Sequence, residues 1–455
     1  MAYETINPAN EEKIKTFDSL GDEEMKKAIE KADSVFREWR QTTFSDRTKL
    51  LKKTGELLRQ RKEKLARMMT LEMGKPFKDG MAEAEKCAWV CDYYAENAES
   101  FLSEEPVDSN ASESFITYNP LGVVLAVMPW NFPFWQVFRF AAPATMAGNT
   151  GLLKHASNVP QCALAIEKLF TDAGYPDGVF QTLLINNKQV ATLLEHPAVK
   201  AATLTGSEYA GSAVAKKAGE MLKKTVLELG GSDPYIVLAD ADLKQAAKNC
   251  ATSRMINGGQ SCIAAKRFIV EKGIVDEFTR LFTEHINTYQ MGDPTKPETN
   301  LGPMARQDIR DEVHEQVQKS IAAGATCLLG GEIPDMKGAW YPPTVLTDVK
   351  KGMPAFDEEI FGPVAAIIEA EDEEHAIELA NDSKYGLGAA IFTRDEDKGR
   401  KIAAEKLEAG CCFVNELVRS DPRLPFGGIK LSGYGRELSV QGIREFVNLK
   451  TVYVK

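Results

Sequence analysis

"GVVLAVMP" (residues 122–129) sets six consecutive apolar residues between a glycine and a proline. The run is too short for a buried helix and lacks the alternation of a half-exposed strand. It therefore reads as a strand covered on both faces. Outward from it the same kind of segment returns at regular intervals. "GLLKHA" (151–156) is strand-like and precedes a helical pattern over 160–173. "VFQTLLI" (179–185) precedes a helix over 187–195, and "AATLTG" (201–206) precedes the helical "SEYAGSAVAKKAG" (207–219). "KTVLELGG" (224–231) and "PYIVLA" (234–239) are further strands. Strands alternating with helices predict a parallel sheet with helices on both faces.

The alternation then begins again. "KRFIVEK" (266–272), "ATCLLGG" (325–331), "PVAAIIEA" (363–370) and "LGAAIFT" (387–393) read as strands, with helices over 274–289 and 372–381. This predicts a second α/β domain. Ahead of the first strand, residues 22–70 read as amphipathic helix and 81–102 as another. "SFITYNP" (114–120) and the terminal "FVNLKTVYVK" (446–455) are β-rich with no obvious partner in either domain. A sheet made of these two alone is marginal, so a subunit contact is their expected use. The expected organisation is a Rossmann-like cofactor-binding domain over 1–105 and 121–230, a catalytic α/β domain over 231–435, and a small β oligomerisation extension over 106–120 and 436–455.

Composition narrows the function. The 455 residues are 44% hydrophobic and carry a formal net charge of -11, so the basic footprint of a nucleic-acid binder is absent. No window reaches the ~18–20 apolar residues of a membrane span, and the start "MAYETINPANEEK" lacks the basic and apolar regions of a secretory signal. Eight scattered cysteines without a CxxC pair, and five isolated histidines, fit thiols in a reducing cytosol better than disulfides or a metal centre.

Four stretches depart from what a core alone selects. In "NGGQSC" (257–262), Cys262 sits among small polar residues, and Gly258 and Gly259 let a ligand approach closely. In "LELGGSDP" (227–234), Glu228 lies between leucines; apolar surroundings raise a carboxyl's pKa toward that of a general base, while the other reading is a solvated strand edge. In "PWNFPFWQVFRF" (129–140), Asn131 follows the first strand and can donate to an oxyanion, or simply cap the helix that Pro133 is placed to open. In "LTGSEYAG" (204–211), strand, Gly-Ser turn and helix set a helix N-terminus where a phosphate can bind.

Taken in order, PWNFP, TGS, LELGG, GQSC, EEIFGP and PFGG resemble the aldehyde dehydrogenase superfamily over essentially the whole chain. "LLKHASNVPQCA", "ELGGSDP", "CIAAKRF" and "SDPRLPFGG" are similar to its short bacterial succinate-semialdehyde dehydrogenases. The resemblance implies an NAD(P)-dependent oxidation. Cys262 attacks the aldehyde carbon, Asn131 and the Cys262 N–H hold the oxyanion, and Glu228 activates the water that hydrolyses the thioester. By the same match the cofactor is held by Pro129, Trp130, Lys154, Gly206, Ser207, Gly211, Leu229, Glu359 and Phe361. "SDPRLPFGG" (420–428) then forms the loop at the substrate mouth, bringing Ser420 to the substrate.

Two features refine this. Many relatives carry a glutamate three residues after the lysine, where this chain has Ser157. NADP is therefore expected to be preferred over NAD or used equally, unless Ser157 only caps a turn. Arg139 lies among Phe138, Phe140 and Ala141, a poor place for an unpaired charge. With Trp135 on the same helical stripe and Ser420 beside it, Arg139 is expected to hold the distal carboxylate of a small semialdehyde, the alternative being a structural carboxylate partner. A homodimer or homotetramer is expected. The competing readings are a broad-specificity aldehyde dehydrogenase, a cysteine esterase and an idle structural relative.

Overall fold

The computed structural model describes residues 3–455. Strand Val123–Met128 lies in the middle of a six-stranded sheet. In spatial order that sheet runs Gly433–Tyr434, Lys224–Glu228, Val199–Thr205, Val123–Met128, Thr150–His155, Phe180–Thr182. The last five are parallel, and Gly433–Tyr434 closes one edge antiparallel. From Val123–Met128 the chain steps outward twice in one direction, then crosses back to Val199–Thr205. The order reverses between these two neighbours, and ligands bind at such a reversal, outside the carboxyl ends of the strands. Register fixes what arrives there. Val127 pairs with both Lys154 and Leu204, and Thr205 pairs with Glu228. Pro129, Trp130, Asn131, Lys154, Gly206 and Glu228 thus emerge at one end of one sheet.

The second sheet has seven strands, in the order Thr326–Leu329, Thr344–Thr347, Val364–Ala370, Arg267–Glu271, Pro234–Val237, Gly388–Phe392, Cys411–Val414. All pairs are parallel except that of Thr326–Leu329 with Thr344–Thr347. The third sheet joins the two unpartnered β-rich segments. Val447–Val454 pairs antiparallel with Glu113–Pro120 along its whole length, and Glu105–Pro106 adds a short third strand.

Several elements differ from the sequence reading. The pattern over 22–70 is two helices, Asp22–Trp39 and Phe44–Met73, broken where the Thr43 hydroxyl caps the second by accepting from the Asp46 N–H at 3.1 Å. The next helix is Phe77–Phe101, starting right after Pro76 rather than at 81. The chain turns at Pro133 and Phe134, so the following helix is Trp135–Met146, two residues later than expected. Within 436–455 a short helix, Ser439–Arg444, precedes the final strand. Helix Gln307–Ala322, absent from the sequence reading, carries a narrow apolar stripe of Ile309, Val313, Val317 and Ile321 on an otherwise polar surface.

Helix Trp135–Met146 matters most for the site. All twelve of its residues are buried. Phe138 stacks on Phe170, which stacks on Phe180 at 4.5 Å between ring centroids. A helix enclosed on every side reads apolar all round, and its single cation, Arg139, must find a partner inside the protein.

Candidate active site

Cys262 is placed by a strained turn. Helix Leu243–Met255 ends, and Asn257, Gly258 and Gly259 follow with φ of 54°, 63° and 75°. A Cβ on Gly259 would lie 2.0 Å from the Gly362 carbonyl oxygen, so this position admits only glycine. The turn is pinned by buried cations. Arg254 Nη2 donates to the Gly259 carbonyl at 2.6 Å. Lys266 Nζ donates to the carbonyls of Ser261 and Cys262 at 2.8 and 2.6 Å. The glycine pair therefore brings the Cys262 turn against the EEIFGP loop.

Two cavities meet at the Cys262 side chain. The one at the sheet reversal has a volume of about 410 Å³ and is lined by Pro129, Trp130, Asn131, Gly206, Ser207, Leu229, Glu359 and Phe361 together with Cys262. Trp130 meets Phe361 edge to face at 5.8 Å, and Glu359 Oε1 accepts from the Gly231 N–H at 2.9 Å. Ser207 caps helix Glu208–Glu220, its Oγ accepting from the Ala210 N–H at 3.3 Å. Backbone N–H groups at a helix start and an open Gly206 form an anion-binding corner. Three expected cofactor residues lie outside this lining. Gly211 faces the Leu229 side chain, where a Cβ would come within 2.6 Å. Lys154 is buried near the end of its strand with no ion pair among the described residues, and burial pulls its pKa below the usual lysine value. Ser157 is exposed just past that strand.

The second cavity, about 550 Å³, is lined by Lys86, Trp135, Arg139, Ser420 and Phe426 among others, and shares Cys262 with the first. Trp135 Nε1 donates to Ser420 Oγ at 3.1 Å. Arg139 has an acid beside it. Its Nε lies 2.7 Å from Glu437 Oε2, its Nη2 lies 3.5 Å from Thr205 Oγ1, and its guanidinium covers the Phe426 ring. The structural-carboxylate alternative for Arg139 thus has a residue, one the sequence did not single out.

Asn131 is tied to the Cys262 turn, its Nδ2 donating to the Gln260 carbonyl at 3.1 Å. That uses one of two amide protons. Glu228 is 2% exposed, and neither carboxylate oxygen has a hydrogen-bond partner. Burial and the neighbouring Glu437 carboxylate push its pKa well above the ordinary glutamate value, against the pull of Arg139 and Arg436. A buried, unsatisfied carboxyl of raised pKa takes up a proton more readily than an ordinary glutamate, as a general base requires. Burial likewise pushes the Cys262 thiol up to about 12, outweighing Arg139 and Lys266. His155, made neutral by burial with a pKa of about 4, contacts the Pro133 carbonyl at 2.9 Å and so braces the turn after Asn131.

Sequence reasoning missed four residues here: Glu437, Lys86, Lys266 and Gln136. Gln136 lines both cavities. In "AEAEKCAWVC" Lys86 has the look of a solvated helix face, and Glu437 in "GRELS" lies in no apolar run. Their positions depend on contacts across long stretches of chain. Among the described residues no group of three or more His, Cys, Asp or Glu can hold a metal, and no helix is long and apolar enough to cross a membrane.

Cys262 thus lines both cavities, one carrying the start of helix Glu208–Glu220 and the other several cations. Known proteins share the sequence and fold. Residues 1–452 match the model of the aldehyde dehydrogenase family. A probable NADP(+) succinate-semialdehyde dehydrogenase of Synechocystis is 52% identical over the full length of both chains. Succinate-semialdehyde dehydrogenase [NADP(+)] 1 of Mycobacterium tuberculosis is 51% identical, also over both full lengths. The crystal structure of succinic semialdehyde dehydrogenase from Streptococcus pyogenes in complex with NADP+ superposes with a TM-score of 0.97 at 40% identity, covering 100% of each chain. With residues 1–452 matched by the family model and about half of all positions identical in full-length relatives, the chain belongs to the aldehyde dehydrogenase family.

Proposed function

We propose that the protein oxidises succinic semialdehyde to succinate, with NADP preferred over NAD or used equally. The observation that carries this reading is the Cys262 side chain at the meeting point of two cavities, one with an anion-binding helix start and the other ending in cations and a serine. The names of the full-length relatives support the same substrate and cofactor.

The cofactor is held by Pro129, Trp130, Gly206, Ser207, Leu229, Glu359 and Phe361, with Lys154 and Ser157 beyond the cleft; Gly211 contributes by seating Leu229. When bound, the cofactor supplies the hydride acceptor and a positive charge near the sulfur. Cys262 gives up its thiol proton to water and adds through sulfur to the aldehyde carbon, the carbonyl π pair moving onto the oxygen. The second amide proton of Asn131 and the Cys262 N–H stabilise the resulting oxyanion. After oxidation the acyl group remains on Cys262 as a thioester. Glu228 takes a proton from water as the water attacks the thioester carbonyl, and the C–S bond breaks to release the acid and return the thiol. Arg139, Trp135 and Ser420 face the distal carboxylate. Eight free thiols suit a cytosolic enzyme, and the third sheet suits a homodimer or homotetramer.

The test is a panel of aldehydes with and without a distal carboxylate, assayed by absorbance at 340 nm with each cofactor. Succinic semialdehyde with NADP+ should give the highest kcat/KM. Equal rates across the panel, or no change in absorbance, would overturn the assignment.

A further inference from the structure

Five cations line the larger cavity, and four are accounted for. Lys75 is ion-paired to Glu83 and Arg139 to Glu437, both inside the protein. Arg419 pairs with Glu416 at 2.8 Å, and Lys78 is exposed to solvent. Lys86 is the fifth. It is half-buried and forms no ion pair among the described residues.

Its surroundings are built rather than incidental. Lys86 Nζ donates to Ser420 Oγ at 2.9 Å and sits 4.3 Å from the centre of the Trp135 ring. Trp135 Nε1 donates to the same Ser420 oxygen. Ser420 Oγ therefore accepts twice, which leaves its own proton to donate. Two ammonium protons of Lys86 are also uncommitted, because a lysine has three. These donors meet at Ser420 in a cavity that Cys262 also lines.

We propose that Lys86 is a specificity-determining residue that binds the distal carboxylate of the substrate, with Ser420 as its co-donor. The inference rests on the reading of the substrate as a short carboxylated aldehyde and adds a residue to its recognition. Arg139 has one edge committed to Glu437, whereas Lys86 has no acid partner, so an incoming carboxylate is the counter-ion it lacks.

A pH signature follows. Burial and the nearby Arg139 pull Lys86 to about 8, against Glu83 and Asp421. The groups that face it are Glu83 and Cys87 on its own helix, Arg139 on helix Trp135–Met146, and Asp421 on the adjoining loop. Glu83 pairs with Lys75 and Asp421 with Arg423, while burial keeps the Cys87 thiol neutral. Lys86 is thus the cation in this group whose charge fades as pH rises above neutrality, and carboxylate binding should weaken with it.

The experiment compares kcat/KM for succinic semialdehyde with that for butyraldehyde as a ratio, at saturating NADP+, in the native enzyme, Lys86→Met and Lys86→Arg. Lys86→Met should lower the ratio roughly tenfold or more, mainly through KM, as for a lost charge-assisted contact. Lys86→Arg should restore most of it. The native ratio should fall as pH is raised from neutrality through the lysine's titration, and stay flat in Lys86→Arg. A high native ratio that Lys86→Met leaves intact, or that does not change with pH, overturns the role of Lys86 alone. A native ratio near one overturns the substrate reading, and this inference with it. The native pH series decides the matter even if Lys86→Met does not fold.

Discussion

Cys262 shows how far an active thiol can lie from its working state in the free protein. Its turn is held by three consecutive left-handed residues and two buried cations, yet burial leaves the sulfur protonated, pushed up to about 12. The thiolate is the reactive form. Its population at neutral pH is small and grows with every step in pH below that value. Alkylation of the Cys262 peptide by iodoacetamide, followed by mass spectrometry without cofactor, should accelerate roughly tenfold per pH unit from neutrality upward with no plateau near neutral pH. A plateau there would mean a pre-formed thiolate and a different electrostatic balance. The candidate role of Cys262 was legible because no core selects "GGQSC". That of Glu437 was not: a carboxylate gains its meaning from Arg139, nearly 300 residues away, and no local pattern carries such a contact.

At the scale of elements, the strand ends do the sorting. Parallel register brings Asn131, Lys154, Gly206 and Glu228 to one edge, and the sequence alternation was enough to predict the sheet that does so. It was not enough to fix the breaks. Thr43 and Pro133 set boundaries through caps and turns, which compete with periodicity over only a few residues. We place the cofactor choice at the end of strand Thr150–His155. Lys154 at its end is a buried cation without an ion pair among the described residues, and Ser157 just beyond is neutral and exposed. A 2′-phosphate suits both, whereas a carboxylate at 157 would repel it and accept from ribose hydroxyls instead. Ser157→Glu should shift the ratio of kcat/KM for NADP to that for NAD by about tenfold or more toward NAD, the worth of one charge-assisted contact. An unchanged ratio would return Ser157 to the role of a turn cap.

On the whole molecule, the third sheet leaves the long edge strand Val447–Val454 open. Val447–Val454 has a partner strand on one side only, and Leu449 and Tyr453 are 60% and 56% exposed. An apolar strand edge in solvent is an association hazard that proteins cover. Light scattering at micromolar concentration should give at least twice the mass of one chain, and Leu449→Lys together with Tyr453→Lys should lower it. A monomer in the native protein would remove this reading. The two β-rich segments were visible in the sequence because they lacked partners, and their expected joint sheet is what the structure shows, with the register and the short third strand Glu105–Pro106 added by the fold.

Covalent catalysis by Cys262 with Glu228 as the hydrolytic base is the claim on which the rest depends, and Glu228→Gln tests it most directly. The substitution keeps the shape of a side chain that makes no hydrogen bond in the buried site and removes its capacity as a base. Mixed with succinic semialdehyde and NADP+, the variant should release about one equivalent of NADPH per active site in a burst and then stall, because hydrolysis follows oxidation. Quenched during the stall and digested, it should carry a succinyl group on the Cys262 peptide. Turnover at the native rate, or an acyl group on any other cysteine, would contradict the account.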